Sequence, residues 1–248
     1  MSAFLINKLV LHYESVGRGK PVVFVHNFVG SWRYWLPSME FLSSGFKSYA
    51  FDLWGFGDSG RDNSLYTPQA HADQLADFIK QLGIGQAAIV GHGYGALVAQ
   101  QFAKNKPDAV NRLVSIHHKI NPSWIKTSGI FQTHNWLASQ KLPEAVALDC
   151  IKADPVAVES AFKVISSNKA EDMRVELADE IPHLVIQYGE THGMPSVTGR
   201  ITIAKQTLFP MAQNAEELNR LLHEFLAGSP IVLNEGLTLK EFWKRRVR

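Results

Sequence analysis

The chain has 248 residues, of which 46% are hydrophobic and 19% charged, enough for one large α/β domain with an inserted piece. A formal charge of +2, with no arginine-rich stretch before the C-terminus, argues against a nucleic-acid partner. The lone cysteine, Cys150, excludes an internal disulfide, the first ten residues lack the features of a secretory signal, and no run reaches the roughly 18 apolar residues of a membrane span.

In chain order, Phe4 to Ile6 and Leu9 to Tyr13 read as short strands of an edge hairpin. Pro21 to Val25 is a continuous apolar run of β-branched and aromatic type, as expected of a strand buried on both faces. A helix is expected at about Trp32 to Leu42, and a strand at Ser48 to Phe51. Thr67 and Pro68 open the next helix as cap and first-turn proline, and Leu75, Phe78, Ile79 and Leu82 form its apolar stripe. Then comes an apolar run, Ala87 to Val90, followed by glycines at alternate positions, Gly91, Gly93 and Gly95, and by a helical pattern with Leu97, Val98, Gln101 and Phe102. This reads as strand, very tight turn, helix.

Arg112 to Ile116 is the next strand and leads to His117 and His118. From about Ile120 to Glu180 only helical patterns occur: Ile130 to Ala138, Pro143 to Ile151, Pro155 to Ile165 and Ala170 to Leu177. Strands resume at His183 to Tyr188 and Ile201 to Ile203. Asn214, with Glu217 three residues on, reads as a capping box for a final helix whose stripe is Leu218, Leu221, Leu222, Phe225 and Leu226. The tail carries Lys240, Lys244, Arg245, Arg246 and Arg248 and reads as a solvated basic end.

The strand–turn–helix at Gly93 resembles the nucleophile elbow of the α/β-hydrolase family, G-x-S-x-G. His26 to Trp32 is similar to the family's H-G-x-x-G-S loop, with Asn27 where the family usually has glycine, and Asp52 to Ser59 is similar to its D-x-x-G-x-G-x-S turn. The resemblance covers nearly the whole chain. It implies a mostly parallel eight-stranded sheet flanked by helices, a core formed by residues 1–119 and 181–248, and an all-helical cap at 120–180. It also implies an oxyanion site built from the amides of Phe28 and Tyr94, with Asp52 anchoring backbone amides.

The catalytic positions that the resemblance points to are occupied by other residues. Gly93 stands at the nucleophile. His192 stands at the acid, with Glu190 two residues earlier, and Leu208 stands where the family carries its histidine. Three independent departures argue against a Ser-His-Asp hydrolase. Five histidines, His26, His92, His117, His118 and His192, fall at expected C-terminal strand ends, the edge where such folds place their sites. His26 and His92 match positions where the family itself often has histidine. His92, His118 and His192 are candidates for acid or base work. No metal site is expected, because no two of these histidines come with a carboxylate in a recognised ligand spacing.

Three functions follow as expectations. The first is a non-hydrolytic member, a cytoplasmic pseudo-hydrolase without a cofactor. It would hold a small apolar or carbonyl-bearing ligand under the cap through Asn27, Phe28, His92, Gly93 and Tyr94, and a protein partner is compatible with it. The second is an enzyme, a hydrolase, lyase or isomerase, using a histidine or an activated water in place of serine. The third is a purely structural interaction protein with its cap packed shut. Trp32, Tyr34, Trp35, Trp54, Phe56, Trp124, Phe131 and Trp136 read as core, lid or pocket lining, and Cys150 as a small buried apolar residue.

Overall fold

Asn7 and Lys8 close the first hairpin with positive φ of 49° and 70°, the left-handed pair that a two-residue turn requires and that asparagine tolerates better than most residues. The turn joins β1 (Ser2–Ile6) to β2 (Leu9–Gly17), with Ile6 paired to Leu9. The computed structural model describes residues 2–118, 146, 149, 152–166, 181–188, 200–203, 209–229, 231–232 and 238–239.

The apolar run after the hairpin forms β3 (Lys20–Val25), and Val22, Val23, Phe24 and Val25 are fully buried, as a strand covered on both faces demands. It is followed by β4 (Phe46–Phe51), β5 (Ala87–His92), β6 (Val110–His118), β7 (His183–Tyr188) and β8 (Arg200–Ile203). These strands form one eight-stranded sheet in the order β1-β2-β4-β3-β5-β6-β7-β8. The first two pairings are antiparallel and all the others parallel. Six parallel strands place their C-terminal ends along one edge, so the loops after β3 and β5 meet there. A separate pair, β9 (Ile231–Val232) and β10 (Thr238–Leu239), is antiparallel.

A 3-10 turn at Trp32–Trp35, capped by the Ser31 side chain, leads into α1 (Leu36–Leu42). α2 (Pro68–Gln81) starts as its sequence requires: Thr67 Oγ1 accepts from the Ala70 amide at 3.1 Å. α3 (Tyr94–Asn105) follows the elbow and packs against β5 and β6. Between β6 and β7, α4 (Pro155–Ser166) is described, and Val146 and Asp149 are helical. α5 (Pro210–Gln213) and α6 (Ala215–Ala227) close the core. Leu218, Leu221, Leu222, Phe225 and Leu226 are buried, each worth about 1.5–3 kcal/mol of transfer from water.

The start of α6 differs from its sequence reading. Asn214 caps no backbone amide; its Nδ2 instead donates to the Glu217 carboxylate. The capping box is thus replaced by a side-chain pair. The expected helices at 130–138 and 170–177 lie outside the described residues, as do Cys150, Trp124, Phe131, Trp136 and the basic tail. Among the described residues no helix is long and apolar enough to cross a membrane.

Candidate functional site

The turn between β5 and α3 is the sharpest feature of the sheet edge. Gly93 sits at φ 54°, ψ −116°, a conformation that an L-side chain adopts only under strain. Its amide donates to the Ile116 carbonyl at 2.9 Å. Two residues on, a β-carbon on Gly95 would fall 2.7 Å from the Val25 carbonyl carbon. Glycine there lets the start of α3 rest directly on the end of β3. The consequence is convergence: the amides of Phe28 and Tyr94 point at one spot.

That spot is occupied from within the chain. Asn27 Oδ1 accepts from Phe28 N at 2.9 Å and from Tyr94 N at 2.8 Å. The same carboxamide lies over Gly93, where a β-carbon would be 2.6 Å from Nδ2 and closer still to Oδ1 and Cγ. The volume released by a glycine at the elbow is therefore taken by Asn27, and the floor of the site is not laid open to a ligand as the loss of a side chain would imply. Asn27 is itself held: its amide donates to the Tyr34 hydroxyl at 2.6 Å.

The histidines divide by role. His26 Nε2 accepts from the Leu53 amide at 3.0 Å, so Nδ1 carries the proton and donates to the Asn27 carbonyl at 2.6 Å. Burial holds its pKa below the ordinary value. His26 is a neutral cross-link between two loops. His92 is fully buried among Tyr34, Trp35 and Phe209, which meet its ring edge to face, and its Nδ1 lies 3.3 Å from the Tyr34 hydroxyl. Burial drives the Tyr34 pKa well up, so the phenol stays neutral. His117 lies on β6, half-buried, and the backbone of His118 ends that strand. His192, Glu190 and Leu208 lie outside the described residues.

Two buried histidines away from the elbow escape the motifs. His71 on α2 donates from Nε2 to the Trp54 carbonyl at 3.1 Å and accepts at Nδ1 from the Tyr94 hydroxyl at 2.9 Å. Burial lowers its pKa to about 4. His12 on β2 pairs through Nδ1 with Asp52 Oδ2 at 2.9 Å. Asp52 also accepts from the amides of Trp32 at 2.9 Å and Asp58 at 3.0 Å, which is the anchoring role its motif implied. His12, Asp52 and Asp58 lie close enough to share a cation. The Asp58 oxygens, however, already bond Arg33 at 3.2 Å and Lys152 at 2.8 Å, and that pairing holds the Asp58 pKa below the usual carboxylate value, Lys152 first.

Asp149, which no motif singled out, also reaches this edge. Its carboxylate accepts from Ser31 Oγ and, at 3.1 Å, from Arg33 Nη1. Burial raises its pKa against the pull of both partners. Further along, the Asp154 amide donates to the Gly55 carbonyl at 2.7 Å, Tyr66 donates to Asp154 at 2.9 Å, and Phe162 packs on Phe28 with ring centroids 5.8 Å apart.

A family profile described as alpha/beta hydrolase fold matches residues 20–151. The chain is 39% identical over 113 residues to epoxide hydrolase 2 of Siraitia grosvenorii, covering 44% of this chain and 36% of that protein. It is 32% identical over 109 residues to the soluble epoxide hydrolase of Corynebacterium sp. strain C12, covering 44% of this chain and 38% of that protein. The match thus spans little more than a third of the length of these relatives. Among solved structures, an N-acyl homoserine lactonase, AidH, complexed with N-butanoyl homoserine aligns with a TM-score of 0.72 at 16% identity, over 91% of this chain and 95% of that one. The epoxide hydrolase CorEH aligns at 0.68 and 18% identity, over 92% and 98%. These low identities speak to the fold alone. Relatives carrying the names of epoxide hydrolases overturn the expectation of a non-hydrolytic pseudo-hydrolase, which rested on the altered triad positions. With the profile running over more than half of the sequence, the chain belongs to the α/β-hydrolase fold family.

Proposed function

We propose that the chain is an enzyme of hydrolytic type, acting on a small organic substrate of the epoxide class, in which a water activated by a histidine replaces the serine. The observation that carries this reading is the retained elbow: Gly93 keeps the strained turn between β5 and α3 in a chain whose relatives bear the names of epoxide hydrolases. Water adds to one epoxide carbon as the carbon–oxygen bond breaks, the histidine takes the water's proton, and the same proton is returned from the imidazolium to the released alkoxide, giving a diol and the neutral histidine. His92, His118 and His192 are the candidate bases.

Residues 120–180 serve in this reading as a helical cap over the C-terminal edge of a core formed by 1–119 and 181–248. Support comes from α4 and from the contacts of Asp149, Asp154 and Phe162 with that edge. The cap excludes bulk water, and Asn27, Phe28, His92, Gly93 and Tyr94 form the floor. Purified protein would be incubated with styrene oxide, cyclohexene oxide and a series of chromogenic esters beside a heat-denatured control. Saturable diol formation, lost in His92→Ala or His192→Ala, is the expected result; rates equal to the control for every compound would overturn the reading.

A further inference from the structure

The Tyr34 ring is wedged in place. Gly30, at φ 122°, lies against it, and a β-carbon there would fall 2.6 Å from Tyr34 Cε1. Trp35, His92 and Phe209 surround the ring with centroids 5.1, 5.8 and 5.7 Å away, and Tyr34 is 2% exposed. The hydroxyl is thus held at one place, where it meets the Asn27 amide at 2.6 Å and His92 Nδ1 at 3.3 Å. The amide can only donate, so the phenol oxygen accepts from it. The phenol hydrogen needs an acceptor of its own, and among the described residues His92 Nδ1 is the one within reach.

We infer that Tyr34 is a positioning residue for His92: its hydroxyl donates to Nδ1, the ring carries its proton on Nε2, and neither nitrogen is left to take a proton from water. In the other tautomer Nδ1–H would donate to the phenol oxygen, which would then accept twice and leave its own hydrogen buried without a partner. A buried donor without an acceptor is costly, and native structures keep few of them. The neighbours therefore select the Nε2–H ring. Burial keeps the phenol protonated, so the donor is always present. The same hydroxyl ties the loop after β3, through Asn27, to the last residue of β5, next to Gly93. Of the three candidate bases, His92 thus serves as the acceptor for Tyr34, and proton abstraction falls to His118 or His192. That last step rests on the enzyme reading above; the placing of the proton does not.

Two measurements separate this arrangement from a histidine that works as a base. Long-range 15N correlation spectra at pH 7.5, with the His92 signals assigned by their loss in His92→Asn, are expected to show a protonated Nε2 and a bare Nδ1. In Tyr34→Phe the bare nitrogen should move downfield, because an accepted hydrogen bond shields an unprotonated ring nitrogen. An Nδ1–H ring, an imidazolium, or an Nδ1 signal unmoved in Tyr34→Phe would overturn the assignment. Should Tyr34→Phe fail to fold, since it takes the acceptor from the Asn27 amide, the wild-type spectrum alone decides. Turnover of styrene oxide is the second measurement. Asparagine places its Oδ1 near the position of Nδ1 and can still accept from Tyr34, but it cannot act as a base. His92→Asn is therefore expected to lose about tenfold or less, short of the roughly 10²–10⁴-fold that a base contributes, and His92→Ala, which removes the acceptor, to lose more. Equal losses in that larger range for both variants would sink the proposal. No turnover by the wild type, with Nε2 protonated as expected, would sink the enzyme reading and leave Tyr34 as the residue that places the proton.

Discussion

Asn27 and Gly93 share one volume. A side chain at Gly93 would start inside the Asn27 carboxamide, and the carboxamide holds the two amides that would otherwise face the site. The two departures from the family's loop motifs are therefore a matched pair: each residue is compatible with the site because of the other.

Gly93→Ser should accordingly cost about 2–4 kcal/mol, from overpacking against Asn27 and from side-chain strain at positive φ. Asn27→Gly should cost about 1–3 kcal/mol, because the amides of Phe28 and Tyr94 lose their acceptor. The double variant should be more stable than the sum of the two, by about 0.5–3 kcal/mol. Urea denaturation of all four proteins measures this coupling. Strictly additive values would mean that the Asn27 side chain leaves its place at little cost.

The stability of the fold should fall in mild acid. Burial brings His71 and His183 each to about 4, against an ordinary 6.5, with His117 contributing at His183. Between those values the unfolded chain binds more protons than the native one. The contribution is thus complete above about pH 6.5 and is lost as pH falls towards 4. By pH 5 the loss is about 2 kcal/mol per histidine. Comparing urea midpoints at pH 7.5 and pH 5 tests it, and His71→Gln should remove about half of the difference. A flat profile would mean that one or both rings are solvated.

The elbow was legible because its signal is local: three alternate glycines between an apolar run and a helical pattern can hardly be anything else. Thr67 and Pro68 were legible for the same reason. The filling of the site was not, because it depends on the distance between residues 27 and 94, which no local pattern encodes. The His12–Asp52 pair is hidden likewise by a separation of 40 positions. Asn214 and Glu217 have the right spacing for a capping box, yet their side chains satisfy each other, a choice set by local geometry that spacing alone cannot settle. Asp149 reads as one acid in a helical stretch, and only the folded chain places it on Ser31 and Arg33.

The tautomers of two histidines follow from their neighbours. An amide donor at His26 Nε2 requires the Nδ1–H form, and a carbonyl acceptor at His71 Nε2 requires the Nε2–H form. Long-range 15N correlation spectra at pH 7 distinguish the two. Finding either ring in the other form would contradict the cross-links assigned to it.

Asp149 and Asp58 both bind Arg33, but in different surroundings. The Asp149 side chain is 2% exposed and that of Asp58 is 34% exposed. Removing the buried carboxylate leaves Ser31 Oγ without its acceptor and takes one of the two partners from the guanidinium, whereas removing the exposed one leaves groups that water can serve. Because Arg33 is itself 32% exposed, the loss in Asp149→Ala should be below that of a wholly buried pair, about 1–3 kcal/mol. Asp58→Ala should cost about 0–1 kcal/mol and should be the more weakened by salt in the starting protein. Urea midpoints at low and at 0.5 M salt give both values. Limited trypsin digestion adds a local readout: Asp149→Ala should speed cleavage after Lys152, which would then be held by the Asp58 and Arg61 contacts of Lys152 and by the Asp154–Gly55 bond without the Asp149 anchor. Equal costs for the two substitutions would mean that the Asp149 contacts with Ser31 and Arg33 do not anchor the insertion.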